Sequence, residues 1–333
     1  MTLATHSTSR RAGRRGSVLI LVLFVSVVLG FLAVSMTYRS AMILRVSRQQ
    51  AILAKLDAQA DSVSAIAMSR LMENTDDFDH PAQPWHTHGP LAAEGWLDDW
   101  TAVGDQAATF VANYRITDEE SKLHVLMASS ESLRKLGMSD DQIACLFDYM
   151  GDGEYGRPGG ATNSYYQSLS PPRRNKGAPL ETLDELLAIK EFTPADYWGP
   201  RVSDSGTAPG WAELLTTAGS GMVNINTAPR VVLETLGLSD EGVGQIDAYR
   251  RFDAYSSGQL DNHAFRSYED IKQLQGLSEA DRAMLAGRVV FKSERFRIVV
   301  TVRHVPTGLT RRVDILVRRS GEKIDVLQRR WAL

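Results

Sequence analysis

The chain has 333 residues, 43% of them hydrophobic and 23% charged, a globular composition that excludes a wholly disordered polypeptide. A net charge of −3 gives no electrostatic ground for a nucleic-acid partner. The single cysteine, Cys145, excludes an internal disulfide and a thiolate metal cluster.

The first expected element is a membrane-length helix. No charged side chain occurs from Ser17 to Val34. At about 1.5 Å per residue this run reaches roughly 27 Å, enough to cross a bilayer core. Arg10, Arg11, Arg14 and Arg15 precede it, so this end stays cytoplasmic and the remainder of the chain lies across the membrane. A cleaved secretory signal would place small residues in an A-x-A pattern after the apolar run. Here the cleavage point, at Arg15-Gly16-Ser17, comes before it. Beyond the apolar run, Val46, Leu53, Leu56, Ala60, Val63 and Ala67 recur at helical spacings, and no Pro or Gly interrupts Phe31 to Glu73. The spacing predicts one helix from about Ser17 to Met72, about 80 Å long.

Asn74 to Gly104 is turn-rich and carries Trp85, Trp96 and Trp100. Phe110, Ala112, Tyr114 and Ile116 then alternate with polar neighbours, the pattern of a half-buried strand, and Lys122 to Leu126 is expected to return as its partner. Strand character resumes with Phe296, Ile298, Val300 and Val302. A Pro306-Thr307-Gly308 turn follows, then Val313, Ile315 and Val317, and a weak last strand from Lys323 to Leu327. About five strands are expected, with some 170 residues inserted between the second and third.

The insertion is helical and repeated. Leu133-Arg-Lys-Leu136-Gly137-Met138-Ser139-Asp140 matches Leu233-Glu-Thr-Leu236-Gly237-Leu238-Ser239-Asp240. A second element, Leu183 to Asp196, matches Tyr268 to Asp281. Ser or Thr at the turns caps the next helix, and Gly137 and Gly237 suit the left-handed stop of the one before. This is a helix-hairpin-helix, or SAM-like, double repeat. Its second copy is introduced by Val223-Asn224-Ile225-Asn226-Thr227-Ala228-Pro229, which resembles the N-I-N-T-A entry to such modules. Modules of this kind often bind DNA through a Gly-rich hairpin on phosphate. Here the hairpins carry Asp140-Asp141 and Asp240-Glu241 where phosphate would sit, so no nucleic acid is expected. A membrane-anchored DNA-binding protein of an uptake system is the alternative reading.

The order of basic leader, Gly, then apolar helix resembles a type IV prepilin leader. That resemblance implies cleavage after Gly16 by a prepilin peptidase and methylation of Ser17. Pilin-like proteins usually carry Glu at the fifth mature position, where its carboxylate can neutralise a neighbour's terminal ammonium in the apolar fibre core. Here that position is Leu21. Together with the helical insertion between strands, this absence resembles the K-type minor pseudopilin of type II secretion systems (the general secretion pathway protein K family) along nearly the whole chain. The implied fold is α+β: a pilin-like long N-terminal transmembrane helix packed on a small antiparallel sheet, with a large all-α insertion.

The expected division is leader 1–16, transmembrane helix 17–38, its periplasmic continuation 39–73, first part of the α/β unit 74–128, insertion 129–292 and returning strands 293–333. The resemblance implies an inner-membrane, single-pass protein with most of its chain in the periplasm. Its implied partners are the other minor pseudopilins of a tip complex, the inner-membrane assembly platform, the prepilin peptidase and the lipid bilayer.

Asp148, Asp152 and Glu154 enter a Gly-rich loop, and Asn163 can add a carbonyl. Oxygen ligands on a bending loop suit Ca²⁺, and the family resemblance implies calcium. The spacing is not that of an EF-hand, and family members usually show Gly-Ala-Glu where this chain has Gly160-Ala161-Thr162-Asn163. His80, His86 and His88 lack a carboxylate or Cys spaced to complete a transition-metal set. No nucleophile elbow, Walker loop or dinucleotide fingerprint occurs, so no enzyme is expected.

Overall fold

The computed structural model describes residues 15–87, 110–151, 155–203, 206–251, 263–321 and 323–332, the side chains at 15–17, 87, 201–203, 206 and 332 excepted. The expected features at Met1–Arg14, His88, Trp96, Trp100, Asp152 and Glu154 lie outside the described residues. The chain forms two compact units, Met1–Asp57 and Ala58–Leu333.

Helix α1 runs Arg15–Met72 and spans the unit boundary. In the first unit its large apolar side chains from Val18 to Val46 stand exposed. An 18-residue window there has mean hydropathy 3.0, long and apolar enough to cross a membrane. In the second unit the helix turns amphipathic. Ala60, Val63, Ala67 and Leu71 are fully buried at helical spacing.

After α1 come α2 (Pro84–Thr87), β1 (Phe110–Asp118), a 3₁₀ turn (Glu119–Ser121) and β2 (Leu123–His124). The insertion then holds α3 (Ser130–Lys135), α4 (Asp140–Met150), α5 (Asn163–Gln167), a 3₁₀ turn (Leu183–Ala188) and α6 (Pro194–Trp198). It continues through β3 (Arg201–Ser203), β4 (Gly206–Ala208), α7 (Trp211–Leu214), β5 (Leu215–Thr216) and β6 (Val223–Asn224). It ends with α8 (Arg230–Glu234), α9 (Asp240–Tyr249), α10 (Tyr268–Gln273), α11 (Glu279–Leu285) and β7 (Val289–Val290). The chain closes with β8 (Arg295–His304), β9 (Thr310–Ser320) and β10 (Lys323–Ala332).

The main sheet is antiparallel, in the order β1-β8-β9-β10. Its register lines up Ile116, Ile298 and Ile315 in one row and Tyr114, Val300 and Val313 in the next. All six are buried, so one face of the sheet is core. Asp61 on α1 accepts a hydrogen bond from Arg329 on β10, placing this part of the helix beside the sheet. The helical insertion builds its own core around Leu133, Leu146, Tyr166, Trp211, Leu233 and Phe265.

One expected pairing is corrected. Lys122–Leu126 does not return beside β1. Leu123 and His124 instead pair in parallel with Leu215 and Thr216, and β1 takes β8 as its partner. The reason lies in the 3₁₀ turn: Asp118 accepts from the Glu120 N–H, Glu119 is buried, and the chain turns out of the sheet directly after β1. The chain therefore leaves the sheet at Asp118 and re-enters at Arg295.

The expected stops and caps are present. Gly137 and Gly237 sit at φ of 90° and 86°, a left-handed conformation that costs glycine little. Ser139 and Thr193 form capping boxes with Gln142 and Asp196, and Ser239 and Ser278 cap α9 and α11.

Candidate functional site

Three places bear on function: the apolar helix, the loop after α4, and the polar junction between sheet and insertion. On the helix, Gly16 lies within α1 and Leu21 is 61% exposed among other exposed apolar side chains. Ser17 begins the uncharged run that continues through this stretch.

The loop after α4 forms around Asp148, which is buried in the last turn of that helix. Its Oδ2 accepts the Arg157 N–H at 3.0 Å, and its Oδ1 accepts the Arg157 guanidinium at 2.7 Å. Glycine makes this close approach possible. A Cβ on Gly160 would lie 1.9 Å from Asp148 Oδ2, and one on Gly159 would lie 2.0 Å from Asp141 Oδ1. Asn163 begins α5, and its Oδ1 accepts from the Asn175 N–H at 3.2 Å. The Asn175 side chain donates to the Asp148 carbonyl at 3.0 Å. Two of the four expected ligands are therefore tied into one network, through Arg157 and Asn175. Sequence reasoning singled out neither; Arg157, nine residues past Asp148 in the same Gly-rich loop, carried the only signal.

As a cation site this geometry makes a definite demand. Both described donors already accept from the protein, so a metal would have to displace Arg157 from Asp148 or share the carboxylate's remaining lone pairs. Among the described residues no three His, Cys, Asp or Glu side chains converge as metal ligands. His80 is engaged elsewhere: its Nε2 lies 2.8 Å from the Arg250 carbonyl, and its Nδ1 accepts from the Ala82 N–H.

The polar junction was not singled out from sequence. Glu119 is almost fully buried, and Lys122 Nζ and Arg297 Nε each lie 2.9 Å from its Oε1. Burial works against its ionisation, but Lys122 and Arg297, with the Thr216 hydroxyl, hold its carboxyl at about 2. Arg297 also pairs with Asp314 at 2.8 Å. The neighbouring Asp118 accepts from the hydroxyls of Thr227 at 2.6 Å and Ser293 at 2.7 Å, and from Asn224 Nδ2 at 3.2 Å. Asn226 braces Phe265 through both its side-chain atoms at 2.8 Å. The Asn224-Ile225-Asn226-Thr227 segment thus turns its polar groups inward, onto the protein itself.

Residues 119–199 match the family model of type II secretion system (T2SS) protein K. The match takes in the 3₁₀ turn at Glu119, the loop around Asp148, and α6. The structure is also similar to a chain of the GspK-GspI-GspJ complex from the enterotoxigenic Escherichia coli type 2 secretion system, with a TM-score of 0.60 at 15% identity. That likeness covers 86% of this chain and 99% of the other. A search of curated proteins found no match. The two likenesses agree. The first is a likeness of one segment; the second is a likeness of fold, a long apolar helix with an antiparallel sheet.

Proposed function

We propose that the chain is a processed minor pseudopilin that assembles with other minor pseudopilins, caps the tip of the pseudopilus and helps to start its growth. The observation that carries this reading is the conjunction of a membrane-length exposed helix with the protein K match inside the insertion. Leu21 supports the tip position, because a subunit with nothing ahead of it has no terminal ammonium to neutralise. The insertion supports it too: a domain of this bulk, built between β1 and β8, suits one end of a fibre better than its repeat. The role is structural rather than catalytic. The inner membrane is its place, with the short basic end cytoplasmic and the second unit periplasmic. The assembly platform and the prepilin peptidase belong to the same reading.

The helical double repeat is read as a helix-hairpin-helix module that does not bind DNA. In its second hairpin the Ser239 donors, which could meet a phosphate, are already engaged. The Ser239 N–H and hydroxyl donate to Asp281 at 2.7 and 2.9 Å. Burial alone would raise Asp281, but hydrogen bonds from Ser278 and Ser239 hold its carboxyl below the usual range.

Intact-mass analysis of the membrane-extracted chain, made in a host with prepilin peptidase, tests the reading. The expected mature protein begins at Ser17 and carries one N-methyl group. A mature start after Val34 would replace this reading with ordinary secretion.

Calcium belongs to the proposal as a second element, resting on the acids from Asp148 to Glu154. Bound there, Ca²⁺ would order the loop through Asp148, Asp152, Glu154 and Asn163, with Arg157 released to solvent. A ligand that binds only the folded state raises stability by about 2.7 kcal/mol at a hundredfold excess over its Kd. The chain is expected to melt higher in millimolar Ca²⁺ than in EGTA, and Asp152→Ala to remove most of the difference. Mg²⁺ should substitute poorly, since it demands a tighter octahedral shell. Identical melting curves would leave Arg157 as the sole counter-ion of Asp148.

A further inference from the structure

The chain crosses between sheet and insertion twice, outward at Asp118–Glu120 and back at Ser293–Arg295. Both crossings meet Asp79, from the loop after α1, in one buried cluster. Asp118 Oδ2 accepts from Thr227, Ser293 and Asn224, and its Oδ1 accepts the Glu120 N–H at 2.8 Å. Asp79 Oδ2 accepts the Ser293 N–H at 2.7 Å and the Arg319 guanidinium, and its Oδ1 accepts from Asn74 at 2.7 Å. Glu120 accepts the N–H groups of Glu294 at 2.9 Å and Ser220 at 3.3 Å. One serine, Ser293, thus touches both aspartates.

The charges in this cluster do not balance. Asp79, Asp118 and Glu120 are each no more than 3% exposed, and among the described residues the cation paired with them is Arg319 on β9. Lys122 and Arg297 are engaged with Glu119, and Arg297 with Asp314 as well. Lys292, one residue before Ser293, donates to the Asp76 carbonyl. His80, beside Asp79, is held on the Arg250 carbonyl, and burial pushes it below its usual range. Among the described residues, the insertion's hydrogen bonds to Asp118 come from neutral groups, on Asn224 and Thr227. Three ionised acids facing one guanidinium would leave excess negative charge in a dry site, a cost that protonation of one acid relieves.

Asp118 is the acid equipped to keep the proton. Its Oδ2 faces two hydroxyls, and a hydroxyl can accept as readily as it donates. Asp79 is committed to Arg319, and the bonds to Glu120 come from backbone N–H groups, which can only donate. We propose that Asp118 is a proton-holding residue whose protonation closes a clasp between the sheet and the helical insertion. Burial, with Asp79 and Glu120 beside it, pushes Asp118 up to about 7 despite the hydrogen bonds from Thr227 and Ser293. Raised above its usual 3.8, the carboxyl favours the closed state fully below that value. The advantage is lost as pH rises toward the folded value, because the opened junction ionises first. The clasp is therefore tight in mild acid and loosest above neutrality.

Hydrogen exchange followed by mass spectrometry on the full chain in detergent micelles tests this between pH 5 and pH 8.5, after correction for the intrinsic exchange rate. Segments covering Glu120, Asn224 and Ser293–Glu294 should lose protection by up to about tenfold per pH unit below pH 7 and level off above it. Asp118→Asn, which cannot ionise, should abolish that slope while segments in the α9 core keep their own behaviour. Flat protection of the wild-type junction across this range would overturn the proposal even if the variant fails to fold, and so would an Asp118→Asn variant that retains the slope.

Discussion

Arg319→Ala lowers the melting temperature of the chain by about 10 °C at pH 8, by an argument that begins with burial. The Arg319 side chain is 5% exposed and its partner Asp79 is 0% exposed. The guanidinium donates to Asp79 and to the Ser293 carbonyl at 2.8 Å, and it lies 4.8 Å over the Phe296 ring. Removing it strands Asp79 beside Asp118 and Glu120 without its arginine. Breaking a buried pair in this way costs about 3–5 kcal/mol, because the remaining charge is left uncompensated. In a unit of this size each kcal/mol shifts the midpoint by about 2–4 °C.

The loss should shrink at pH 5, where the neighbouring Asp118, pushed up to about 7, holds its proton and the stranded Asp79 faces less negative charge. Arg319→Lys should fall between wild type and Arg319→Ala, since an ammonium keeps the charge but not the planar stacking on Phe296. Thermal melts of the three chains at both pH values decide it. A shift below about 3 °C at pH 8, less than about 1.5 kcal/mol, would mean that water solvates Asp79 in the variant.

The helix and the sheet were legible because their signals are periodic and local. An uncharged run followed by a stripe at helical spacing leaves little choice but α1, and alternation around Phe296 and Ile315 marks β8 and β9 wherever they pair. The junction was not legible for the opposite reason. Asp118-Glu119-Glu120 reads as a solvated turn, since acids are seldom buried. The groups that bury it, Thr227, Ser293 and Arg319, lie far along the chain, and no local pattern announces them. The same blindness misassigned Lys122–Leu126: a two-residue parallel bridge to Leu215–Thr216 is too short to show a period. The loop at Asp148 stood between these cases. The acid spacing drew attention to Asp148, but the arginine that neutralises it was hidden among loop residues.

Gly210→Ala is expected to destabilise the insertion by about 3 kcal/mol, the upper end of what overpacking costs. The backbone at Gly210 needs no glycine for its torsion, since φ is −69°. What it needs is space. A Cβ there would lie 2.5 Å from the Trp198 carbonyl carbon, 2.5 Å from the Tyr197 carbonyl oxygen and 2.6 Å from the Gly199 nitrogen. All three are backbone atoms at the end of α6, so no side chain can swing away to make room. The start of α7 would have to retreat, and with it Trp211, which is 1% exposed in the insertion core. Gly287 supplies the contrast. It sits at φ +70° with nothing within 4 Å of a Cβ, so Gly287→Ala isolates the torsional cost, about 1 kcal/mol. Thermal melts should therefore rank Gly210→Ala well below Gly287→Ala, by about 4–8 °C. The reverse order would show that α7 slides away from α6 freely and that the contact between Gly199 and Gly210 does not hold the insertion together.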